Sequence, residues 1–171
     1  MIFETERLLV RHYVFDTDRE NFYLLNGDEE VMRYIRPVKT RDECDIFLQE
    51  IIAKGAETPA MGRWAAIEKE TGNFIGSFAI IPIEETGTFQ LGYALLKKFW
   101  GKGFASGLTE AGLRYYFSST KAEEVYAITE EANTVSQKVL LKNGFVPDGT
   151  REEGGKQLLV FIARKTNKIQ G

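Results

Sequence analysis

Three hydrophobic segments in the middle of the chain constrain its fold more than any other feature. They cover residues 64–67, 74–83 and 89–96, and the sequences KETGN and EETGT separate them. Each separator combines glycine with small polar residues, which favour a tight reversal of the chain. Segments joined by such short turns pair as antiparallel neighbours. The pattern therefore predicts a three-stranded antiparallel meander.

The residues before the meander predict a strand followed by helical structure. The sequence RLLVRHYV, residues 7–14, is rich in residue types that favour strands. Residues 16–35 predict a helix that Asp16 or Thr17 caps and that Asn26-Gly27 interrupts.

A second helix is expected over residues 40–55. Thr40 is followed three residues later by Glu43, which is the spacing of a capping box. Gly55 is expected to end this helix, because glycine is common just past a helix C-terminus. Two helices should therefore precede the meander.

The residues after the meander alternate between helix and strand patterns. They predict a helix over 105–119, a strand over 124–129, a helix over 133–144 that Asn133 caps, and a strand pair that ends with 158–165. A helix then connects the third meander strand to the strand 124–129, so a right-handed crossover should make those two strands parallel. This order predicts an α+β protein in which residues 1–171 form one domain.

Composition narrows the class of protein. The net charge of −3 and the hydrophobic content of 43% are typical of a globular protein without a nucleic-acid partner. Cys44 is the sole cysteine, so no internal disulfide forms, which favours a reducing compartment. The N-terminus is charged and no apolar run approaches the roughly 20 residues of a membrane span. We expect a cytoplasmic protein that has no membrane partner.

The sequence WGKGFASG, residues 100–107, places three glycines between a predicted strand and a predicted helix. A helix N-terminus offers free N–H groups and partial positive charge, and glycines let the backbone approach an anion. The segment therefore predicts either a phosphate-binding loop or a tight turn with positive φ angles. Ser106 replaces the third glycine of the dinucleotide fingerprint, and the ATP-binding pattern GxxxxGK[ST] occurs nowhere in the chain.

The wider sequence QLGYALLKKFWGKGFASGLTEAG, residues 90–112, resembles the signature of the GNAT superfamily of N-acetyltransferases. That family's pyrophosphate loop has the form [Q/R]-x-x-G-x-[G/A], and here Trp100 stands at its first position. ETERLLVR near the N-terminus, TGNFIGS in the second meander strand and NTVSQKVLLKNGF from Asn133 are similar to one branch, the ribosomal-protein N-terminal acetyltransferases (RimJ/RimL-like). The resemblance covers residues 4 to about 150.

The resemblance implies a mixed sheet with an antiparallel N-terminal meander, helices on both faces, and acetyl-CoA bound in a V-shaped splay between two parallel strands. Backbone groups of Leu95 and Leu96 would pair with the pantetheine arm, and the Leu95 N–H would act as the oxyanion donor. Asn133 and Ser136 would contact CoA from the following helix. Backbone N–H groups would hold the pyrophosphate, from Gly101, Lys102, Gly103, Phe104, Ala105 and Ser106.

Besides Trp100, two further residues depart from the family pattern. Gln90 stands where many relatives have glutamate, and Leu140 stands where many have a tyrosine acid. Ser136 lies one helical turn from Leu140 and is therefore the expected proton donor to the CoA thiolate. The sequence does not identify the general base, for which Tyr93, Tyr126 and a glutamate acting through water are candidates.

The resemblance implies direct acetyl transfer to a primary amine, without a metal, by a monomer or homodimer. The acceptor is a protein N-terminus or a small amine. A site without an identified general base suits an α-amine, whose pKa is ~7.7–8.0, better than a lysine side chain, whose pKa is ~10.4. Residues 26–39 and the last strand pair are expected to wall its site. Five glutamate doublets either attract cationic acceptors or are ordinary solvated charges. The alternative is a non-catalytic CoA-binding module.

Overall fold

The computed structural model of the protein describes residues 1–166, which form one eight-stranded sheet with helices packed on it. The strands are β1 (Phe3–Glu4), β2 (Leu8–Arg11), β3 (Gly62–Glu68), β4 (Phe74–Ile83), β5 (Thr88–Leu95), β6 (Glu124–Glu130), β7 (Val146–Glu153) and β8 (Lys156–Arg164). The helices are α1 (Phe15–Asn26), α2 (Glu29–Met32), α3 (Arg41–Glu57), α4 (Phe104–Ser119) and α5 (Thr134–Lys142), and a short 3-10 helix covers Lys97–Phe99.

The strand order explains where the sheet opens. The order is β1-β2-β3-β4-β5-β6-β8-β7, and β3, β4 and β5 form the antiparallel meander, which confirms the prediction. Within the described residues β5 and β6 are the one parallel pair. Only Gln90 and Tyr126 are partners between them, so no further pairing follows along the two strands. This is where the V-shaped splay between two parallel strands was expected.

Each face of the sheet carries its own hydrophobic core, because side chains alternate between the faces along every strand. On one face Trp64 and Phe78 pack against residues of α4, such as Tyr116. On the other face Ala65 and Phe74 pack among residues of α1, α2 and α3. Helices therefore cover both faces, as expected, and burial of these apolar side chains provides the main driving force for the fold.

The start of α1 differs from the prediction. β2 ends at Arg11, and α1 begins at Phe15 after an extended N-cap residue, Val14, whose side chain makes no capping bond. Asp16 and Thr17 are thus already helical. Instead, the carboxylate of Asp18 reaches back and accepts the Val14 N–H at 2.7 Å. The predicted interruption at Asn26-Gly27 is confirmed, since α1 ends at Asn26.

The capping box of α3 is confirmed, but its predicted end is wrong. The Thr40 hydroxyl accepts the Glu43 N–H at 3.3 Å, and the Glu43 carboxylate accepts the Thr40 N–H at 2.8 Å. The helix continues through Gly55 to Glu57. Gly55 keeps a helical backbone, so it does not supply the left-handed residue that often ends a helix.

The predicted strand pair at the C-terminus is β7 and β8, and the sequence pattern predicts no range for the first of them. All residues of β7 except Arg151 are exposed, so its composition lacks the hydrophobic pattern of a strand. Among residues 1–166, none of the helices combines the length and the apolar composition needed to cross a bilayer.

Candidate active site

The gap between β5 and β6 leaves backbone groups without a partner strand. At the end of β5 the Leu96 N–H donates to the Ile75 carbonyl of β4 at 2.9 Å. Because N–H groups alternate in direction along an antiparallel strand, the Leu95 N–H points away from β4 and toward β6. No described residue of β6 is in register with Leu95. The expected oxyanion donor therefore has an open N–H, whereas the Leu96 N–H is already bonded within the sheet.

The backbone carbonyls at this point are also bonded within the protein. The Leu96 carbonyl accepts the Phe99 N–H at 2.9 Å. The indole Nε1 of Trp100 donates to the Leu95 carbonyl, also at 2.9 Å. Trp100 thus connects the glycine-rich loop to the end of β5. The Leu95 N–H is thus the open backbone donor at this point, and the pairing of Leu95 and Leu96 with the pantetheine arm stays a prediction.

The loop that follows has the geometry of an anion-binding site. Gly101 and Gly103 have φ angles of +71° and +82°, which strain any residue with a side chain. No side chain caps α4, and the Gly107 N–H is the one that donates to the Gly103 carbonyl, at 3.1 Å. The N–H groups of residues 104–106, which lie between Gly103 and Gly107, therefore have no acceptor within the helix.

The side chains of the loop hold it in place. Phe104 is buried and packs edge-on against Phe99, with the ring centroids 6.0 Å apart. The hydroxyl of Ser106 accepts a hydrogen bond from the Asn143 amide at 3.1 Å, which connects α4 to the end of α5. Lys102 is exposed, and its ammonium lies 5.8 Å from the Phe99 ring centroid.

Arg7 is a loop-contacting residue that the sequence analysis did not identify. Its Nη1 donates to the Lys102 carbonyl at 2.9 Å, and its guanidinium lies 4.2 Å from the centroid of the Phe104 ring. These contacts add a positive charge beside the free N–H groups of α4 and so strengthen the attraction for a phosphate. Arg7 belongs to the ETERLLVR segment, but its role depends on a contact with a residue 95 positions away.

A cavity of about 1100 Å³ opens where β5 and β6 separate. Its wall contains the predicted residues Asn133 and Ser136, together with Gln90, Tyr93 and Leu140. Segments from both expected acceptor walls also line it, residues 32–38 and the hairpin between β7 and β8. The glycine-rich loop and Leu95 do not line this cavity. The structure thus separates the predicted phosphate-binding loop from the predicted proton donor.

Ser136 and Tyr93 bring two hydroxyl groups to the same part of the cavity. Burial raises the pKa of the Tyr93 phenol, and the neighbouring Ser136 hydroxyl opposes part of this rise. Asn133 caps α5, because its side-chain oxygen accepts the Ser136 N–H at 3.2 Å. This bond fixes the first turn of α5, on which Ser136 lies. Leu140 is buried one turn later and contributes an apolar surface.

Tyr126, the other tyrosine considered from the sequence, points elsewhere. Its hydroxyl donates to the Glu124 carboxylate at 3.1 Å, and it does not line the cavity. Tyr93 is therefore the tyrosine that the fold brings near Ser136.

One buried polar group in the cavity lacks a partner. The Thr129 hydroxyl is 7% exposed and has no hydrogen-bond partner among the described residues. Such a group is costly unless a ligand or water satisfies it. Together with the open Leu95 N–H and the uncapped start of α4, it fits an elongated polar ligand such as acetyl-CoA. Residues 1–166 contain no group of three or more metal-ligating side chains.

Comparisons with known proteins agree with this geometry. Residues 7–146 match the family model of the acetyltransferase (GNAT) domain. The chain is 32% identical over 148 residues to p20, an uncharacterised N-acetyltransferase of Bacillus licheniformis, with 85% of this chain and 82% of p20 aligned.

Two solved structures share the fold across nearly the whole chain. The ribosomal-protein-S5-alanine acetyltransferase of Vibrio fischeri superposes with a TM-score of 0.78 at 16% identity, covering 96% of this chain and 97% of that one. The spermidine N-acetyltransferase of Vibrio cholerae, solved with CoA and spermine, also gives 0.78, at 21% identity, covering 98% and 100%. The chain therefore belongs to the GNAT family of acetyltransferases, whose members use acetyl-CoA.

Proposed function

We propose that this chain transfers the acetyl group of acetyl-CoA directly to a primary amine, without a covalent enzyme intermediate. The observation that carries the proposal is the open Leu95 N–H at the point where β5 and β6 separate. Acetyl-CoA supplies a thioester, from which an amine takes the acetyl group and a thiol is released. Negative charge grows on the carbonyl oxygen during this reaction, and a fixed N–H donor at that place lowers the barrier.

The proposed CoA site extends from the gap to the start of α4. The N–H groups of residues 104–106, the two left-handed glycines and Arg7 would hold the pyrophosphate. Asn133 and the Thr129 hydroxyl would contact the rest of the molecule. Each of these groups is polar and lacks a competing carboxylate contact in the described structure.

We assign proton donation to the pair of hydroxyls formed by Ser136 and Tyr93. As the thiol leaves it needs a proton, and a hydroxyl within hydrogen-bonding reach supplies it or stabilises the thiolate. A raised pKa keeps the Tyr93 phenol protonated at neutral pH, so Tyr93 acts as a donor and not as the general base. Gln90 has no basic group, which favours an acceptor that is already partly neutral, such as an α-amine with a pKa of ~7.7–8.0.

The proposal is tested first by thermal unfolding with acetyl-CoA, CoA, ATP or NAD. A ligand at about 100 times its Kd adds about 2.7 kcal/mol of stability, which for a chain of this size raises Tm by about 5–10 °C. We expect this shift with acetyl-CoA and CoA and not with ATP or NAD. Release of the CoA thiol is then followed with peptide N-termini and small amines as acceptors.

The alternative, a non-catalytic CoA-binding module, predicts a different result. It predicts stabilisation by CoA compounds but no thiol release with any amine. Absence of a shift with CoA compounds would contradict both hypotheses, because the glycine-rich loop would then be only a turn.

A further inference from the structure

Two arginines line the acceptor side of the cavity, and no carboxylate of residues 1–166 pairs with either of them. Arg36 follows α2, and Arg63 lies on β3. Both are partly buried, and their guanidiniums lie 5.4 and 5.6 Å from the centroid of one ring, that of Phe47. Lys39 also lies beside this ring, at 5.1 Å. The side of the cavity next to Phe47 is therefore strongly positive.

The contacts of the two arginines leave most of their donors free. Arg36 donates through Nη1 to the Asn26 side-chain oxygen at 2.7 Å and to the Met32 sulfur at 3.8 Å. For the Arg63 side chain, the part of the chain from residue 1 to 166 provides no hydrogen bond and no ion pair. A guanidinium has five N–H donors in a planar fork, so both side chains retain the capacity to bind an anion through two bonds.

The energetics show that this arrangement does not stabilise the protein by itself. Burial, together with a smaller effect of the nearby charge of Arg63, lowers the pKa of Arg36 to about 10. Burial also lowers the pKa of Arg63. The buried hydroxyl of Tyr13 lies near both charges and beside the Ser77 hydroxyl, and so offers them no negative partner. Unpaired, partly buried charges oppose folding.

Other charged residues of the cavity do not offset this pair. Lys156 is paired with Glu130 at 2.7 Å, at the far hairpin. Arg33 is exposed and lies 5.2 Å from the Tyr34 ring. Glu29 and Glu153 also line the cavity, but within residues 1–166 neither forms an ion pair with Arg36 or Arg63. The unpaired positive charge of Arg36 and Arg63 therefore lies at one end of the acceptor side, next to Phe47.

The register of the sheet places this end within reach of the proposed reaction. Arg63 is the partner of Ala79, and Ala79 is the partner of Gly92 on β5. Two strand spacings, about 10 Å, therefore separate the backbone of Arg63 from β5, and the long arginine side chain covers part of that distance. Leu95 lies three residues beyond Gly92, about another 10 Å along β5, so an acceptor held by the guanidiniums through one group must extend along β5 to present its amine near the open Leu95 N–H.

We infer that the acceptor is a primary amine that itself carries an anionic group, a carboxylate or a phosphate, which Arg36 and Arg63 bind. The inference rests on the proposed acetyl transfer and names its acceptor class. It excludes polyamines, because two unpaired guanidiniums repel a polycation. Of the two alternatives for the glutamate doublets, it favours ordinary solvated charges.

The test compares acceptors that differ only in charge. Acetyl transfer is measured with α-amino acids and their carboxamides, with phosphoethanolamine and ethanolamine, with peptides whose second residue is aspartate or asparagine, and with spermidine. We expect kcat/KM for one anionic class to exceed that for its neutral partner by at least about tenfold, the gain of one good charged contact. The class that responds identifies the source of the anionic group.

Variants then assign the preference to the arginines. Arg63→Met and Arg36→Met should each reduce the ratio of kcat/KM between the anionic and neutral partners by about tenfold or more, mainly through KM. A ratio between enzyme forms cancels any difference in amine basicity. Arg114→Gln is the matched control, because Arg114 is exposed on α4 and paired with Glu110. An unchanged ratio in both variants would overturn the inference.

Stability separates a binding role from a structural one. Since Arg63 is unpaired, Arg63→Met should unfold at the same temperature as the parent or higher, as happens when a binding group that opposes folding is removed. A Tm lowered by several degrees would show that Arg63 supports the fold instead and would contradict the inference.

A binding measurement distinguishes failure of the inference from failure of the proposed reaction. In saturating CoA, inorganic phosphate and acetate should raise the Tm of the parent and of Arg114→Gln more than that of the Arg36→Met/Arg63→Met double variant. If no amine is acetylated but this difference in Tm is observed, the proposed acetyl transfer is contradicted and anion binding by Arg36 and Arg63 is supported. If amines are acetylated without the difference, the reaction stands and the anion site is wrong.

Discussion

At the scale of single residues, the hydroxyl of Ser136 makes the most direct prediction. Ser136→Ala should lower kcat by about 10²-fold, the lower end for loss of a proton donor, and leave the Kd for acetyl-CoA within twofold. Thiol release and calorimetric binding measure the two effects. Ser118→Ala is the control, because Ser118 is exposed and its hydroxyl only donates to the Tyr115 carbonyl of its own helix. An equal loss of kcat in both variants would contradict the role of Ser136 as proton donor.

The companion prediction concerns pH. Because burial raises the pKa of Tyr93 above its ordinary value near 10, the phenol keeps its proton through pH 6–9. Activity should rise with pH as the acceptor amine loses its proton, and it should show no falling limb in this range. A falling limb that Tyr93→Phe abolishes would mean that the pKa of Tyr93 is lowered in the folded protein, contrary to its buried position.

A second residue, Asp18, matters for stability and not for the reaction. Its buried carboxylate accepts two bonds from Arg11, at 2.8 and 2.9 Å, and one from the Val14 N–H at 2.7 Å. Asp18→Ala leaves a partly buried guanidinium without its partner and should lower the free energy of unfolding by about 3 kcal/mol. Asp16→Ala, an exposed change on the same turn, should cost less than about 1 kcal/mol. Urea unfolding of both variants provides the comparison.

Some residues of the candidate site could be predicted from the sequence, and others could not. Serine and asparagine at 136 and 133 were expected at the site because the helix motif that contains them is local. Arg36 and Arg63 gave no such signal, because an arginine is usually solvated. What distinguishes them is that no carboxylate in the described part of the chain pairs with them, and that depends on how α2, α3 and β3 pack together.

At the scale of elements, two glycines of α4 make opposite predictions. A Cβ at Gly107 would lie 3.6 Å from the nearest Leu8 atom, an ordinary contact, so Gly107→Ala should raise stability by about 0.5–1 kcal/mol. A Cβ at Gly112 would lie 2.2 Å from the Phe78 ring, so Gly112→Ala should lower stability by about 1–3 kcal/mol. Thermal unfolding distinguishes them, and equal effects would contradict the close packing of α4 on β4.

Local signals predicted the elements better than they predicted their ends. The Thr40 capping box is complete within four residues, and the fold confirms it. The start of α1 is set by Asp18, whose carboxylate is drawn backward by Arg11 of β2, so the expected caps Asp16 and Thr17 are wrong. The end of α3 at Glu57 is likewise not at Gly55: Thr58 follows the helix, and its N–H and hydroxyl both donate to the Lys54 carbonyl.

At the scale of the whole molecule, the sheet should open unevenly. β4 lies between two neighbours and is almost entirely buried, whereas β7 is an edge strand with nearly all its residues exposed. Amide hydrogen exchange should therefore be at least about 100-fold faster in β7 than in β4, since exposed edge elements open locally. Equal rates would mean that the sheet opens only as one unit. The sequence pattern predicts no range for β7 for the same reason, because its exposed residues contribute little to the core.

The gap between β5 and β6 has a consequence for how enzymes of this shape diversify. The donor that we propose is a main-chain N–H at Leu95, which every amino acid except proline supplies, so substitutions there would leave the chemistry intact. The acceptor end that we propose is built from side chains, Arg36 and Arg63, and a single codon change would alter it. Relatives can therefore differ widely in sequence, catalyse one reaction, and each accept a different amine.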